Sequence, residues 1–169
     1  MWNWPIGIVG SGLSVALFLS RRLWGDAGLN GLYVVLGIVG WWAWLRGGEN
    51  RTELPMGRGG WRSLLFGAVA GALLTVIFTL YFRRINDSAP FLDGLTTAYS
   101  LVAQALLTRR LIENWLFWIF VDIIYVPLYI KRDLNLYAVL YAGFLALAVW
   151  GYLSWRTSLG RNVGPDPAP

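Results

Sequence analysis

No cysteine and no histidine occur among the 169 residues of the chain. Disulfides, thiol nucleophiles, Ser-His-Asp triads and zinc or haem sites built on nitrogen or sulfur ligands are thereby excluded. Charge is also scarce. Only 14% of residues are charged, where a soluble domain carries roughly a quarter. The net charge of +5 reflects 14 Lys and Arg against 9 Asp and Glu. These residues fall in short pairs rather than on one basic face, a spacing that suits membrane-flanking loops better than nucleic acid. What is abundant is apolar: 57% of residues are hydrophobic, with 11 tryptophans and 20 glycines, and the mean hydropathy is +0.53. This composition excludes a disordered chain and argues against a water-soluble globule.

A helix that crosses ~30 Å of hydrocarbon needs roughly 20 mostly apolar residues. Six segments approach that length, at 4–20, 28–46, 62–82, 91–108, 112–130 and 135–155. Charges mark their ends: Arg21-Arg22, Arg46, Arg62, Arg83-Arg84, Arg109-Arg110, Lys131-Arg132-Asp133 and Arg156. Lipid offers backbone groups no partner, so spans are helices or a closed barrel. Runs of this length without period-two alternation choose helices. The fold class expected is an all-α polytopic membrane protein with six transmembrane helices. The glycine-rich, charged stretch 47–61 reads as a surface loop. No signal peptide with a small-residue cleavage site precedes the first span, so that span is read as retained. Residues 1–158 form a single transmembrane domain in this reading, and 159–169 a flexible tail. With six crossings, Arg46, Arg51, Arg58, Arg62, Arg109, Arg110, Arg156 and Arg161 share one side, a count of eight. Arg21, Arg22, Arg83, Arg84, Lys131 and Arg132 share the other, a count of six. The positive-inside rule places the first group in the cytoplasm.

Sliding the chain against itself gives an ungapped match at an offset of 111. Asn3-Trp4 falls on Asn114-Trp115, Arg21 on Arg132, Gly40 on Gly151 and Trp44 on Trp155. Matched apolar pairs such as Ile8/Ile119, Leu23/Leu134, Ala27/Ala138 and Leu29/Leu140 lie between. Apolar helices align easily, but the Asn-Trp pair and the two Gly-x-x-x-Trp endings are more distinctive. The repeat halves are 3–44 and 114–155, in the same orientation because four crossings separate them. Parallel repeats related by an axis along the membrane normal are a known transporter architecture. The symmetric protein would have three spans, a connector and three more, so this sequence reads as lacking the first helix. A truncated start or a partner chain would account for that gap.

Ionisable groups inside a membrane cost ~3 kcal/mol or more, so they mark function. Asp122 is the clearest, in the middle of the fifth span between Val121 and Ile123. At helical spacing, Asn114, Trp118, Asp122, Tyr125 and Tyr129 share one stripe, with Trp115 beside it. The fourth span offers a second stripe, Thr97, Ser100 and Gln104, and the sixth adds Tyr137 and Tyr141. Plainer readings stand beside these. Thr97 and Ser100 are also suited to helix packing, and Gln104 to linking two helices. Trp2, Trp24, Trp61 and Trp155 read as interfacial anchors, and Trp41, Trp42 and Trp44 lie near the same boundary. Gly7, Gly10, Gly12, Gly67 and Gly71 read as close-packing sites. Aromatic faces stack on planar rings or attract a cation, while amides, hydroxyls and a carboxylate hold sugar hydroxyls. The ligand implied is a planar heterocycle, cationic or neutral, that bears a polyol. An inorganic anion is disfavoured, since no basic residue lies mid-membrane.

These residues resemble the PnuC-type vitamin transporters, whose best-known members carry nicotinamide riboside. The resemblance rests on Trp2-Asn3-Trp4-Pro5-Ile6-Gly7, Gly40-Trp41-Trp42-Ala43-Trp44, and Leu95-Thr96-Thr97 with Ser100 and Ala103-Gln104. Its most specific part is Glu113-Asn114-Trp115-Leu116-Phe117-Trp118-Ile119, then Val121-Asp122 and Tyr125-Val126-Pro127-Leu128-Tyr129. Gly151-Tyr152-Leu153-Ser154-Trp155 is similar to the family's close. The resemblance implies a three-plus-one-plus-three, SWEET-like bundle in the bacterial inner membrane. It also implies facilitated diffusion of nicotinamide riboside, with trapping by cytoplasmic phosphorylation. The ligand would contact the polar face of span four and the Asn-Trp and Trp-x-x-x-Asp positions of span five. No cofactor, metal or catalytic residue is expected, and no nucleic acid. The partners expected are the vitamin, the lipid bilayer and, optionally, a second copy of the chain. Thiamine or riboflavin are alternative cargoes. A membrane enzyme using Asp122 as acid or base and a non-transporting membrane partner are the other classes.

Overall fold

The computed structural model describes residues 3–20, 24–48, 52, 54–86, 89–131 and 133–161. Trp2, Arg21, Arg22, Leu23, Arg51 and Arg132 lie outside the described residues, as does 162–169 of the expected tail. So do the side chains of Asn3, Trp24, Ala27, Leu29 and Arg161. Six α-helices follow one another: α1 Asn3–Ser20, α2 Trp24–Arg46, α3 Gly60–Arg84, α4 Pro90–Thr108, α5 Asn114–Lys131 and α6 Asn135–Arg161. They match the six expected segments. The largest difference is in α6, which continues to Arg161, six residues beyond the expected end at 155. Among the described residues, three helices are long and apolar enough to cross a membrane: Gly60–Arg84, Asn114–Lys131 and Asn135–Gly160. The apolar part of α1 is shorter, Trp4–Leu17. The helices present large apolar side chains outward, among them Ile6, Phe66, Val139 and Leu136, the last 81% exposed. Such surfaces call for lipid rather than water.

The chain divides into two compact units, Met1–Pro55 and Met56–Pro169. In the first, α1 packs on α2. Gly40 lies under the ring of Trp4, where a Cβ would have no room, and Trp4 stands edge-on to Trp44 at 5.3 Å between ring centroids. Gly37 likewise receives Ile8, whose Cγ1 would lie 2.8 Å from an added Cβ. By contrast, among the described residues nothing lies within 4 Å of a Cβ added at Gly7, Gly10 or Gly12. The expectation that those three are packing sites is corrected: within this unit the glycines that admit a neighbour, Gly37 and Gly40, are on α2.

In the second unit, α3 packs on α4, α4 on α5 and α5 on α6. The buried face of α3 is Gly67, Gly71, Thr75 and Thr79, one residue per turn. This stripe admits bulky neighbours: Phe117 and Val102 against Gly67, and Tyr99 against Gly71. Gly94 of α4 reciprocates against Thr79. Without a hydrophobic drive between helices in lipid, close backbone approach of this kind is the main source of association. Tyr99 links three helices. Its hydroxyl donates to the Ala68 carbonyl at 3.1 Å, and its ring stacks on Phe117 and meets Phe120 edge-on. Val102, Ala103, Leu106 and Phe117 complete the core.

The turns are cut by backbone chemistry. Arg110 and Asp133 adopt φ of 55° and 57° just past α4 and α5. At the first, Leu111 N–H donates to Leu106 and Arg110 N–H to Leu107. At the second, Leu134 N–H donates to Tyr129 and Asp133 N–H to Ile130. Each pair of bonds satisfies carbonyls at the helix end in a Schellman motif. The final stretch of the 47–61 segment is not a free surface loop. Gly57 donates to the Arg110 carbonyl and accepts from Ile112 N–H, both at 3.1 Å, which pins it beside the α4–α5 turn.

Candidate functional site

α5 is apolar except for a buried polar line. Asn114 is fully buried and Asp122 is 4% exposed, and two helical turns separate them. Asn114 donates through Nδ2 to the Leu111 carbonyl, while its Oδ1 is buried with no hydrogen-bond partner among the described residues. Among the described residues the Asp122 carboxylate has neither a basic partner nor a hydrogen bond. Trp118, between them on the stripe, is half-buried against the Val102–Phe117 core. α4 is the neighbour of α5 and carries the second stripe, with Ser100 buried and Thr97 and Gln104 half-buried. The two stripes therefore lie on adjoining helices. Hydroxyl, amide and carboxylate groups at such depth are costly unless something polar meets them.

The aromatic end of the α5 stripe meets α6. Tyr125 lies 4.5 Å from Tyr141, and Tyr129 lies 5.4 Å from Tyr137, ring centroid to centroid. Tyr125 also stacks on Tyr129. Four of the expected tyrosines thus form one cluster, with Tyr141 half-buried and Tyr137 at its edge, 49% exposed.

Trp115 is placed differently from a simple pocket wall. Its ring fills the space over Gly151, 2.7 Å from where a Cβ would stand, and meets Trp155 edge-on at 5.6 Å. Trp155, expected as an interfacial anchor, is the packing partner of Trp115. The indole N–H of Trp115 remains buried without an acceptor among the described residues, as does that of Trp4. Trp4, Gly40 and Trp44 occupy the same arrangement in the first unit, offset by 111 residues at every position.

One functional-looking carboxylate was not assigned from the sequence. Glu113 is 5% exposed, and its two oxygens accept the N–H groups of Gly59 and Gly60 at 3.1 and 2.7 Å. A carboxylate at a helix N-terminus satisfies orphan donors and complements the dipole. Gly60 sits at φ 64°, where a side chain would be strained. Beside this clamp a cavity of about 430 Å³ opens, and none of the nine expected site residues lines it.

Residues 1–157 match the family described as Nicotinamide mononucleotide transporter. The riboflavin/roseoflavin transporter RibM of Streptomyces davaonensis is 26% identical over 98% of this chain and 79% of its own. The nicotinamide riboside transporter PnuC of Neisseria mucosa is 27% identical over 96% of this chain and 66% of its own. The protein of that name from Haemophilus influenzae is 30% identical over 78% of this chain and 59% of its own. The chain thus spans less than two thirds of these last two proteins. A solved structure, the crystal structure of the Vitamin B3 transporter PnuC, superposes with a TM-score of 0.69 at 28% identity. That superposition covers 94% of this chain and 73% of the other. With the family matched along nearly its whole length, the chain belongs to the nicotinamide mononucleotide transporter family.

Proposed function

We propose that this protein carries nicotinamide riboside by alternating access, as a facilitator whose cargo is trapped by phosphorylation in the cytoplasm. As a member of its family it is a multi-pass transporter of the bacterial inner membrane, not an enzyme. That leaves no call for Asp122 as a catalytic acid or base. The cargo is a small vitamin-type molecule, and the choice among vitamins is the proposed part.

The observation that carries the choice is Asp122, buried and without a cationic partner among the described residues. A carboxylate in that position favours a ligand that brings its own positive charge. Nicotinamide riboside offers a pyridinium ring for Asp122, Trp118 and the tyrosine cluster. Its ribose hydroxyls suit Ser100, Thr97, Gln104 and the unpartnered Oδ1 of Asn114. The N–H of Trp115 is a further unused donor beside that stripe. We read α1–α2 and α5–α6 as two copies of one unit, the kind of duplication on which alternating access is commonly built. The recurrent tryptophan–glycine–tryptophan packing supports that reading.

A second reading, riboflavin transport, is favoured by the likeness to RibM along almost all of this chain. Its ring is uncharged, which separates the two. Thermal stability of the purified protein with nicotinamide riboside, thiamine or riboflavin tests both. A ligand that binds only the folded state at a hundred times its Kd adds about 2.7 kcal/mol. Stabilisation by nicotinamide riboside alone, with uptake into proteoliposomes, is the expected result. Stabilisation by riboflavin alone would replace the proposal with the second reading.

A further inference from the structure

The cavity beside the Glu113 clamp is chemically unlike the α4–α5 stripes. Arg58, Trp61, Glu113, Leu116, Tyr152 and Arg156 are among the groups that line it, and its volume is about 430 Å³. Arg58 precedes α3, Trp61 lies in its first turn, and Tyr152 and Arg156 lie four residues apart on α6. The carboxylate of Glu113 accepts backbone N–H groups of Gly59 and Gly60 and forms no ion pair with either arginine among the described residues. Neither Arg58 nor Arg156 has an acidic partner among the described residues. The cavity therefore holds two guanidinium groups with unspent donors, a phenol and an indole. Around them, Leu116 and Trp61 are exposed, Trp61 to 68%.

We propose that this cavity binds a phosphate-bearing anion, the headgroup of an anionic phospholipid. Guanidinium groups match phosphate oxygens with paired N–H donors. Exposed tryptophan and leucine at the rim match glycerol and the first acyl carbons, since aromatic belts sit at headgroup level. Basic pockets between membrane helices are suited to such headgroups. In the topology expected from the sequence these arginines face the cytoplasm, whose leaflet carries the anionic lipid. A phosphate monoester in solution shares the same chemistry, and the test separates the two sources. The site does not depend on which vitamin is transported.

The full chain is reconstituted in nanodiscs of phosphatidylcholine with or without phosphatidylglycerol, and retained lipid and thermal midpoint are measured. Glycerol 3-phosphate is added to the phosphatidylcholine sample as the soluble probe. Wild-type protein should retain phosphatidylglycerol and gain a higher midpoint. The R58Q/R156Q variant should lose that retention by about 30-fold, from roughly 1 kcal/mol per basic residue near the surface. An R83Q/R84Q variant, altered at the far end of α3, should behave as wild type. If glycerol 3-phosphate raises the midpoint and phosphatidylglycerol adds nothing, the phospholipid source is overturned and a soluble phosphate replaces it. Equal lipid retention by wild type and R58Q/R156Q, or equal loss in both double variants, would overturn the site itself.

Discussion

The ring of Trp115 stands at 89° to that of Trp155, edge against face at 5.6 Å, and Gly151 lies beneath Trp115. A side chain at 151 would have to displace an aromatic ring already wedged against another. Gly151→Val should therefore cost about 1–3 kcal/mol, the range for overpacking. Gly40→Val should cost a similar amount, because Trp4 and Trp44 hold the same relation at 81°. Thermal unfolding in detergent reads both. Trimming Trp115 to Leu should recover part of the loss in the Gly151→Val background. A substitution tolerated at 151 but not at 40 would argue that the two arrangements are not equivalent.

Glycines in apolar helices look alike in a sequence, but they should separate in experiment. Gly71→Ala drives a methyl group to 2.5 Å from the Tyr99 ring, whereas Gly7→Ala meets nothing within 4 Å. The first should lower stability by about 1–3 kcal/mol. The second should be neutral or stabilising by up to about 1 kcal/mol through helix propensity. The comparison is a pair of melting curves. Equal effects would contradict the packing of α3 on α4.

Glu113 should be worth more than its place in a turn suggests. Its two oxygens hold Gly59 and Gly60 N–H, so Glu113→Ala strands both donors at the start of α3. Bonds to charged groups contribute about 1.5–3 kcal/mol. Glu113→Ala should approach the upper end, and Glu113→Gln should lose less because the amide keeps one acceptor oxygen. Chemical unfolding followed by intrinsic tryptophan fluorescence would rank the three. Glu113→Gln and Glu113→Ala losing nothing would show that the clamp is dispensable.

The helices were legible because lipid demands long apolar runs, and charged pairs such as Arg83-Arg84 and Arg109-Arg110 bracket them. The stripe Asn114, Trp118 and Asp122 was legible because a single period carries it along α5. The Glu113 clamp was not. Its partners are backbone amides of glycines 53 and 54 residues away, which leave no side-chain pattern to read. Nor could the sequence say which glycines pack. Gly7, Gly10 and Gly12 share one helix, yet the side of α1 that meets α2 is set by Trp4 and Ile8. Trp115 shows the opposite difficulty: its neighbours Asn114 and Trp118 suggested a pocket, while its ring is committed to Gly151 and Trp155.

Asp122→Asn offers the sharpest test of cargo charge. The amide preserves size, removes the negative charge and exchanges one acceptor oxygen for an N–H donor group, so α5 should insert and fold as before. It should also relieve the cost of an unpaired carboxylate, making the purified variant at least as stable as wild type in the absence of ligand. For a cationic cargo the variant loses a buried ionic attraction, and truncating such a pair typically costs about 2–5 kcal/mol. Uptake of nicotinamide riboside into proteoliposomes should then fall by about 30-fold or more at sub-saturating concentration. Riboflavin, being uncharged, should bind the variant and wild type within a few-fold of each other if it binds at all. Trp118→Ala supplies the complement, since it removes a ring face and should weaken either cargo. A variant Asp122→Asn that folds and carries nicotinamide riboside at the wild-type rate would sink the role assigned to Asp122. Loss of riboflavin binding alone would instead place the carboxylate against a sugar-like hydroxyl chain.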